Sequence, residues 1–325
     1  MIARRFVLLS IAALLVMLFG VAVGSVSLSP GELLAGLRGA GTTHGLILWH
    51  LRVPRVLLAF LVGGGLGVTG AALQALVRNP LADPYLLGLS GGAGLGAVAA
   101  IALNTGTAWA VPLAAFAGAL GAVALVYRLA VVSGRRLDPR VLLLAGVVVG
   151  AFAGAIRSAI IVLSDAPRLR NAIVWLLGGL GSASWDSLLL LAAYSIIPLV
   201  VLWYVARQLD LLALGEETAA HLGADPERLK RIVYLAASLL TAASVATCGI
   251  IGFVGLVIPH AVRRAWTPLH RVLVPASFLA GGSFLVLADA LARTVMRPLE
   301  LPVGVVTALV GVPLFAVLLR RTLTP

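Results

Sequence analysis

Long apolar runs separated by short polar, glycine- or proline-marked connections dominate these 325 residues. The runs place helices at about 4–24, 54–77, 85–104, 110–132, 140–163, 187–206, 229–248, 250–264, 272–292 and 303–320. A helix that crosses a bilayer needs about 20 residues, and only the run at 250–264 is clearly short. The runs are continuous rather than alternating, which excludes a closed β-barrel. The pattern predicts an all-α polytopic membrane protein of about ten transmembrane helices, a single domain over 1–325. Its longest polar interruption is the loop from about 207 to 231. The first run follows Arg4 and Arg5 and ends in small residues, as a signal peptide does, but Phe6 to Val23 is long for an h-region of about 7–15 residues. A retained first helix is expected.

Composition agrees: 61% of residues are hydrophobic and 11% charged, against about 25% charged in an ordinary soluble domain. The net charge of +12 forms no basic stripe with stacking aromatics, so nucleic acid is not a partner. The charge is distributed by side instead. With the N-terminus in the cytoplasm, Arg4, Arg5, Arg78, Arg128, Arg135, Arg136, Arg140, Arg207, Arg228, Lys230, Arg231, Arg263, Arg264, Arg271, Arg320 and Arg321 fall inside. Arg38, Arg52, Arg55, Arg168, Arg170, Arg293 and Arg297 fall outside. This bias places both termini in the cytoplasm. Cys248, the only cysteine, sits in an apolar run as a packing residue.

Gly88, Gly92 and Gly96, and likewise Gly146, Gly150 and Gly154, recur every four residues. Such faces bring helix backbones close together in lipid. Val62-Gly63-Gly64 precedes Pro80 and Pro84 by the spacing that separates Ala280-Gly281-Gly282 from Pro298 and Pro302, which suits an inverted repeat. Two ionisable residues fall within apolar runs. Asp289 and Arg293, four apart, can form a local ion pair. Arg157 has no such partner and is expected to face protein or a water-filled path rather than lipid. The histidines lack metal-ligand spacing, so His260 is read as a helix-end residue. A nucleotide-binding P-loop needs a glycine-rich loop before a lysine; the only lysine, Lys230, has none.

Four blocks in order carry a resemblance. They are LRVPRVLLAFLVGGGLGVTGAALQALVRNPLADPYLLGLSGGAGLG at 51–96, GEETAAHLG at 215–223, GIIGFVGLVIPHAVRR at 249–264 and ADALARTVMRPLELPVG at 288–304. Together these resemble the permease subunits of bacterial ABC importers for iron–siderophore complexes, haem and vitamin B12. The resemblance implies the type II ABC importer permease fold, in a homodimer in the bacterial inner membrane. It also implies two cytoplasmic subunits that bind and hydrolyse ATP with magnesium, a periplasmic substrate-binding protein, and no cofactor or catalytic site in this chain. It further implies ATPase coupling through Glu216, Glu217, Ala220, Leu222 and Gly223. Binding-protein docking falls to Arg52, Arg55, Arg293 and Arg297, whose alternative role is to snorkel to lipid head groups. A translocation path or gate is implied at Asn79, Pro80 and Leu81, with Arg168 and Arg170 near the outer gate and Arg157 along the path. Iron chelates rank first as cargo, with cobalamin next. The competing reading is an ion-coupled secondary transporter, which needs mid-membrane acids.

Overall fold

The computed structural model describes residues 2–323 apart from 27, 40–41, 105–106 and 133–135. Its helices are α1 (Ile2–Ala22), α2 (Pro30–Arg38), α3 (Thr43–Leu46), α4 (Val53–Val77), α5 (Leu89–Leu103), α6 (Ala110–Ala130), α7 (Pro139–Val162), α8 (Ala166–Leu176), α9 (Trp185–Tyr204), α10 (Ala206–Ala213), α11 (Glu216–His221), α12 (Pro226–Cys248), α13 (Val254–Ala265), α14 (His270–Thr294) and α15 (Val303–Leu323). A π-helical turn, Ile47–Arg52, joins α3 to α4. Strands β1 (Val131–Val132) and β2 (Arg136–Leu137) form a small antiparallel hairpin. Seven helices are long and apolar enough to cross a membrane, and two shorter apolar segments, Leu89–Leu103 and Val303–Val317, accompany them. With the 12-residue α13, they reproduce the ten runs of the sequence. The hairpin, α2, α3, α8 and α10 had no apolar run to announce them. Arg135 and the side chains of Arg320 and Arg321 lie outside the described residues.

Proline and aspartate start α7, α8, α12 and the 3₁₀ turn Pro84–Leu87 before α5. Asp83, Asp138, Asp165 and Asp225 each accept a backbone N–H, from Tyr85, Arg140, Arg168 and Arg228 respectively. Each is followed within two residues by a proline that needs no hydrogen bond in the first turn. At the other end of α4, Arg78 turns left-handed at φ 53°. The N–H groups of Arg78 and Asn79 then close on the carbonyls of Ala75 and Gln74, and the chain doubles back.

The centre of the bundle is the antiparallel pair α4 and α14. A Cβ on Gly63 would strike the Gly281 carbonyl, and one on Gly281 would strike that of Gly63. Gly64 faces the Phe278 ring as Gly282 faces the Phe60 ring, and those two rings meet edge to face at 5.7 Å. These contacts are related by the sequence spacing noted above, so the echo is a local two-fold between two helices. α1 runs beside α14, with Gly20 against Val286 and the Phe6 ring 4.5 Å from that of Trp266. Gly92 and Gly96 press α5 onto Gly118 and Ala114 of α6, while Gly146 presses α7 onto Leu86. That glycine spacing is therefore a packing device.

Two non-helical stretches, 177–184 and 249–253, lie within the bundle. Backbone at such depth must find partners inside the protein. The Tyr85 hydroxyl accepts from the Ile251 N–H and donates to the Ile251 carbonyl, both at 3.1 Å. The Gly179 N–H donates to the Cys248 carbonyl at 2.8 Å.

Candidate functional site

The expected site residues fall into three places. At the end that carries α2 and α3, here the apical end, Arg55 forks onto Asp289 at 2.9–3.2 Å and reaches Glu300 at 2.8 Å. Arg293 closes on the same Asp289 at 2.9 Å, confirming the i,i+4 pair. It also donates to the carbonyls of Val23 and Gly20 at 2.9 and 3.1 Å. Arg52 donates to the carbonyls of Val21, Ala22 and Val26. All but that of Val26, in the segment that follows, lie at the end of α1, where the helix dipole is negative and cations are favoured. Asp289 is 1% exposed, Arg293 2% and Arg52 5%. The structure thus brings three of the four expected docking arginines together and satisfies them inside the chain, so none snorkels to head groups. Arg297 alone is exposed. On the same side, Ser29 and Glu32 cap α2 reciprocally, and the Ser29 N–H holds the Glu32 carboxyl below its ordinary range.

At the opposite, basal end, the lone lysine is the pivot. Lys230 is 2% exposed. Its ammonium donates to the Leu137 carbonyl at 2.6 Å and pairs with Glu216 at 2.9 Å and Glu227 at 2.6 Å. Glu227 also accepts the Leu137 N–H at 2.8 Å, and Glu216 lies 3.8 Å from Arg78 at the end of α4. The β hairpin, α11 and α12 are joined through one ammonium, and Glu216 extends the set to the α4 terminus. A cleft of about 590 Å³ opens beside it, lined also by Arg136 and Arg140. Glu216 is thus turned inward, whereas Glu217, Ala220, Leu222 and Gly223 are exposed. Gly215 and Gly223 sit at φ +119° and +86°, which glycine adopts without strain, so the bracketing glycines do end a short helix.

Asn79 accepts the Leu81 N–H at 2.9 Å, an Asx-turn that exposes Pro80 and Leu81. A second basal cleft of about 500 Å³ is lined by Asn79 and Pro80 with Gln74, Asp210, Arg263 and His270. Sequence reasoning missed these last four. Gln74 donates to the Leu256 carbonyl at 3.2 Å and accepts from Arg263 at 3.1 Å. Asp210 meets both the backbone N–H and Nδ1 of His270, at 2.8 and 2.6 Å. Neither partner follows from spacing, since the pairs lie far apart in sequence. Lys230 did carry a signal, as the only lysine among 24 basic residues.

The third place is the α5–α7–α8 junction. Arg168 pairs with Asp165 at 3.4 Å and donates to the Ala102 carbonyl at 3.0 Å, so it fastens α8 to the end of α5. Arg170 is exposed. Arg157 is half-buried with its guanidinium over Gly94 of α5. Among the described residues, no group of three or more His, Cys, Asp or Glu is placed to hold a metal ion.

A polytopic helical protein of this layout is matched over residues 11–321 by the model of the FecCD transport family, and the chain belongs to that family. It is 44% identical over 282 residues to the cobalamin import system permease protein BtuC of Halobacterium salinarum, covering 87% of this chain and 75% of that one. It is 41% identical over 322 residues to the vitamin B12 import system permease protein BtuC of Escherichia coli O139:H28, covering 98% and 95%. A solved metal-chelate type ABC transporter in an inward-facing conformation superposes with a TM-score of 0.87 at 28% identity, over 99% of this chain and all of that one. PsaBC from Streptococcus pneumoniae shares the fold, with a TM-score of 0.55 at 18% identity over 88% and 94%. The type II importer permease fold expected from the sequence is the observed one.

Proposed function

We propose that this chain is the permease subunit of an ATP-driven importer that carries cobalamin, or an iron chelate such as a siderophore complex or haem, from periplasm to cytoplasm. The observation that carries this reading is the near full-length likeness to vitamin B12 permeases. Those relatives favour cobalamin over the iron chelates that the sequence ranked first. In this reading the chain is a homodimer in the bacterial inner membrane, with two ATPase subunits at the basal, cytoplasmic end and a binding protein at the apical end. The arginine bias supports that orientation, with both termini cytoplasmic.

Lys230 supports an external energy source. Its ammonium is buried and committed to a carbonyl and two carboxylates, so it has no donor left for a nucleotide phosphate. The exposed face of α11, with Glu217, Ala220, Leu222 and Gly223, is the surface offered to the ATPase, and Glu216 ties that surface to Lys230 and Arg78. Movement of α11 then reaches the Asn79-Pro80-Leu81 turn, the inner gate of this reading, through one or two ion pairs. Docking of the binding protein at the apical arginines is read as contact with Arg297 and the exposed edge of the Arg55–Glu300 pair. An ion-coupled transporter fits poorly, because Asp289, the only acid in the interior of a spanning helix, is already tied to two arginines.

Reconstitution with a partner ATPase and a periplasmic binding protein tests the proposal. ATP-dependent uptake of labelled cobalamin, ferric siderophore or haem into proteoliposomes is the expected result. Uptake that needs only a proton or sodium gradient would overturn it.

A further inference from the structure

Arg157, half-buried, differs from the buried arginines of this chain. It lies in α7, five residues before its apical end at Val162. An arginine near a helix end ordinarily extends its head toward the interface. This one points the other way. Helical side chains lean toward their own N-terminus, and for α7 that direction is toward the membrane centre. Nη2 would sit 3.9 Å from a Cβ placed on Gly154, one turn deeper, and Nη1 only 2.8 Å from a Cβ on Gly94 of α5. Leu176, the last residue of α8, closes the same niche, its Cδ2 atom lying 3.1 Å from that Gly94 position. The guanidinium fits there because two glycines present no side chain. Among the described residues the Arg157 side chain makes no hydrogen bond and no ion pair.

An unpaired cation held below the interface is costly in hydrocarbon and belongs against water or a ligand. The niche is walled by α5, α7 and α8, and α8 opens with Arg168 and the exposed Arg170 at its apical end. A positive rim therefore leads to a deeper, uncompensated positive charge. We propose that Arg157 is the anion-recognising residue of the translocation path, and that the cargo passes it with a phosphodiester or carboxylate group. The guanidinium fork suits either oxyanion. In a two-fold dimer two such arginines would line one path, raising the attraction for an anion. The inference rests on the importer reading and adds to it the charge of the cargo.

Two measurements test it. The first is the ratio of uptake of a cargo that carries an oxyanion group to that of a counterpart without one, in proteoliposomes with the complete complex. The pairs are cobalamin against dicyanocobinamide, which lacks the phosphodiester, and a ferric siderophore with free carboxylates against an uncharged ferric tris-hydroxamate. R157Q should lower this ratio about tenfold, the order of effect of losing a hydrogen bond to a charged group. R157K should keep most of the ratio. A purely structural role would lower both uptakes together and leave the ratio unchanged, and that result overturns the proposal. The second needs no transport. Cys248 is the only cysteine and is buried, so the C248A/R157C double variant carries one thiol at the niche. An anionic, water-soluble thiosulfonate added to the assembled complex should label it. Absence of labelling would place residue 157 away from a water-filled path and overturn the proposal, whether or not the importer reading stands.

Discussion

At the apical end, Arg55 and Arg293 close on one buried carboxylate and Arg52 on three carbonyls at and just after the end of α1. In the α5–α7–α8 niche, Arg157 closes on nothing. Both sets sit at or near the outer half of the bundle, the apical one largely buried and Arg157 half-buried. The difference lies in what the neighbouring sequence supplies. α14 places Asp289 one turn from Arg293 and opposite Arg55, and α1 ends with free carbonyls where two guanidinium groups arrive. α5, at Gly94, supplies only space. Buried charges that are matched within a chain hold its parts in register, whereas a charge left unmatched is a liability to folding and invites a role in binding.

Breaking the apical set from its acidic side should have the largest effect. D289A leaves two arginines facing each other without their carboxylate, and a loss of about 3–5 kcal/mol is expected, read as a fall in thermal unfolding temperature and in membrane yield. Replacing the whole set with apolar residues of similar volume, R55M/D289L/R293M, should recover much of that loss. If the triple variant is no more stable than D289A, the cluster owes its effect to shape rather than to matched charge.

The helix pair beneath this cluster comes next. G63V forces a branched side chain onto the Gly281 backbone, and overpacking of this kind costs about 1–3 kcal/mol. G121A, where a Cβ meets nothing within 4 Å, should stay within about 0.5 kcal/mol of wild type. Thermal unfolding of the two side by side separates close packing from the general effect of adding a methyl group.

At the basal end the matched set is less buried, because Glu216 and Glu227 keep 32% and 28% exposure. K230Q should therefore cost less than D289A, about 1–2 kcal/mol after solvent screening of the freed acids. Its larger effect should be functional: ATP hydrolysis by the complex continues while cargo uptake falls several-fold. R78Q, which removes a longer and exposed pair, should change stability by less than about 1 kcal/mol.

The smallest effect concerns pH. Glu32 has a folded pKa below its ordinary value because Ser29 donates to it. Its contribution is present above the unfolded carboxyl range and is lost as pH falls through the lowered folded value. The α2 cap should therefore persist in mildly acidic medium and loosen only below the usual carboxylate range. Hydrogen exchange of the α2 amides against pH, in wild type and S29A, checks this.

The sequence made the bundle readable because lipid imposes length: all ten apolar runs became helices within a few residues of the expected ends. α8 and α10 escaped notice because each is short and amphipathic, with Arg168 and Arg170 in one and Arg207 and Asp210 in the other. The Asp289–Arg293 pair was legible because helix spacing alone brings i and i+4 together. Arg55 joining that pair was not, since it comes from another helix. The short helix α11 was legible from its bracketing glycines. That Glu216 turns inward to Lys230 depends on where α12 and the β hairpin meet, which no local pattern encodes. Arg157 was visible as an isolated charge, but its direction required Gly94 and Gly154 to be placed around it.

The comparison between matched and unmatched arginines is tested most directly by the thermal unfolding of R157M. Methionine keeps the apolar stem and removes only the uncompensated charge. The account expects an unfolding temperature equal to or above that of wild type, in contrast to the marked fall for D289A. A fall as large as that of D289A would mean that Arg157 is matched within the assembled protein, and would contradict the account.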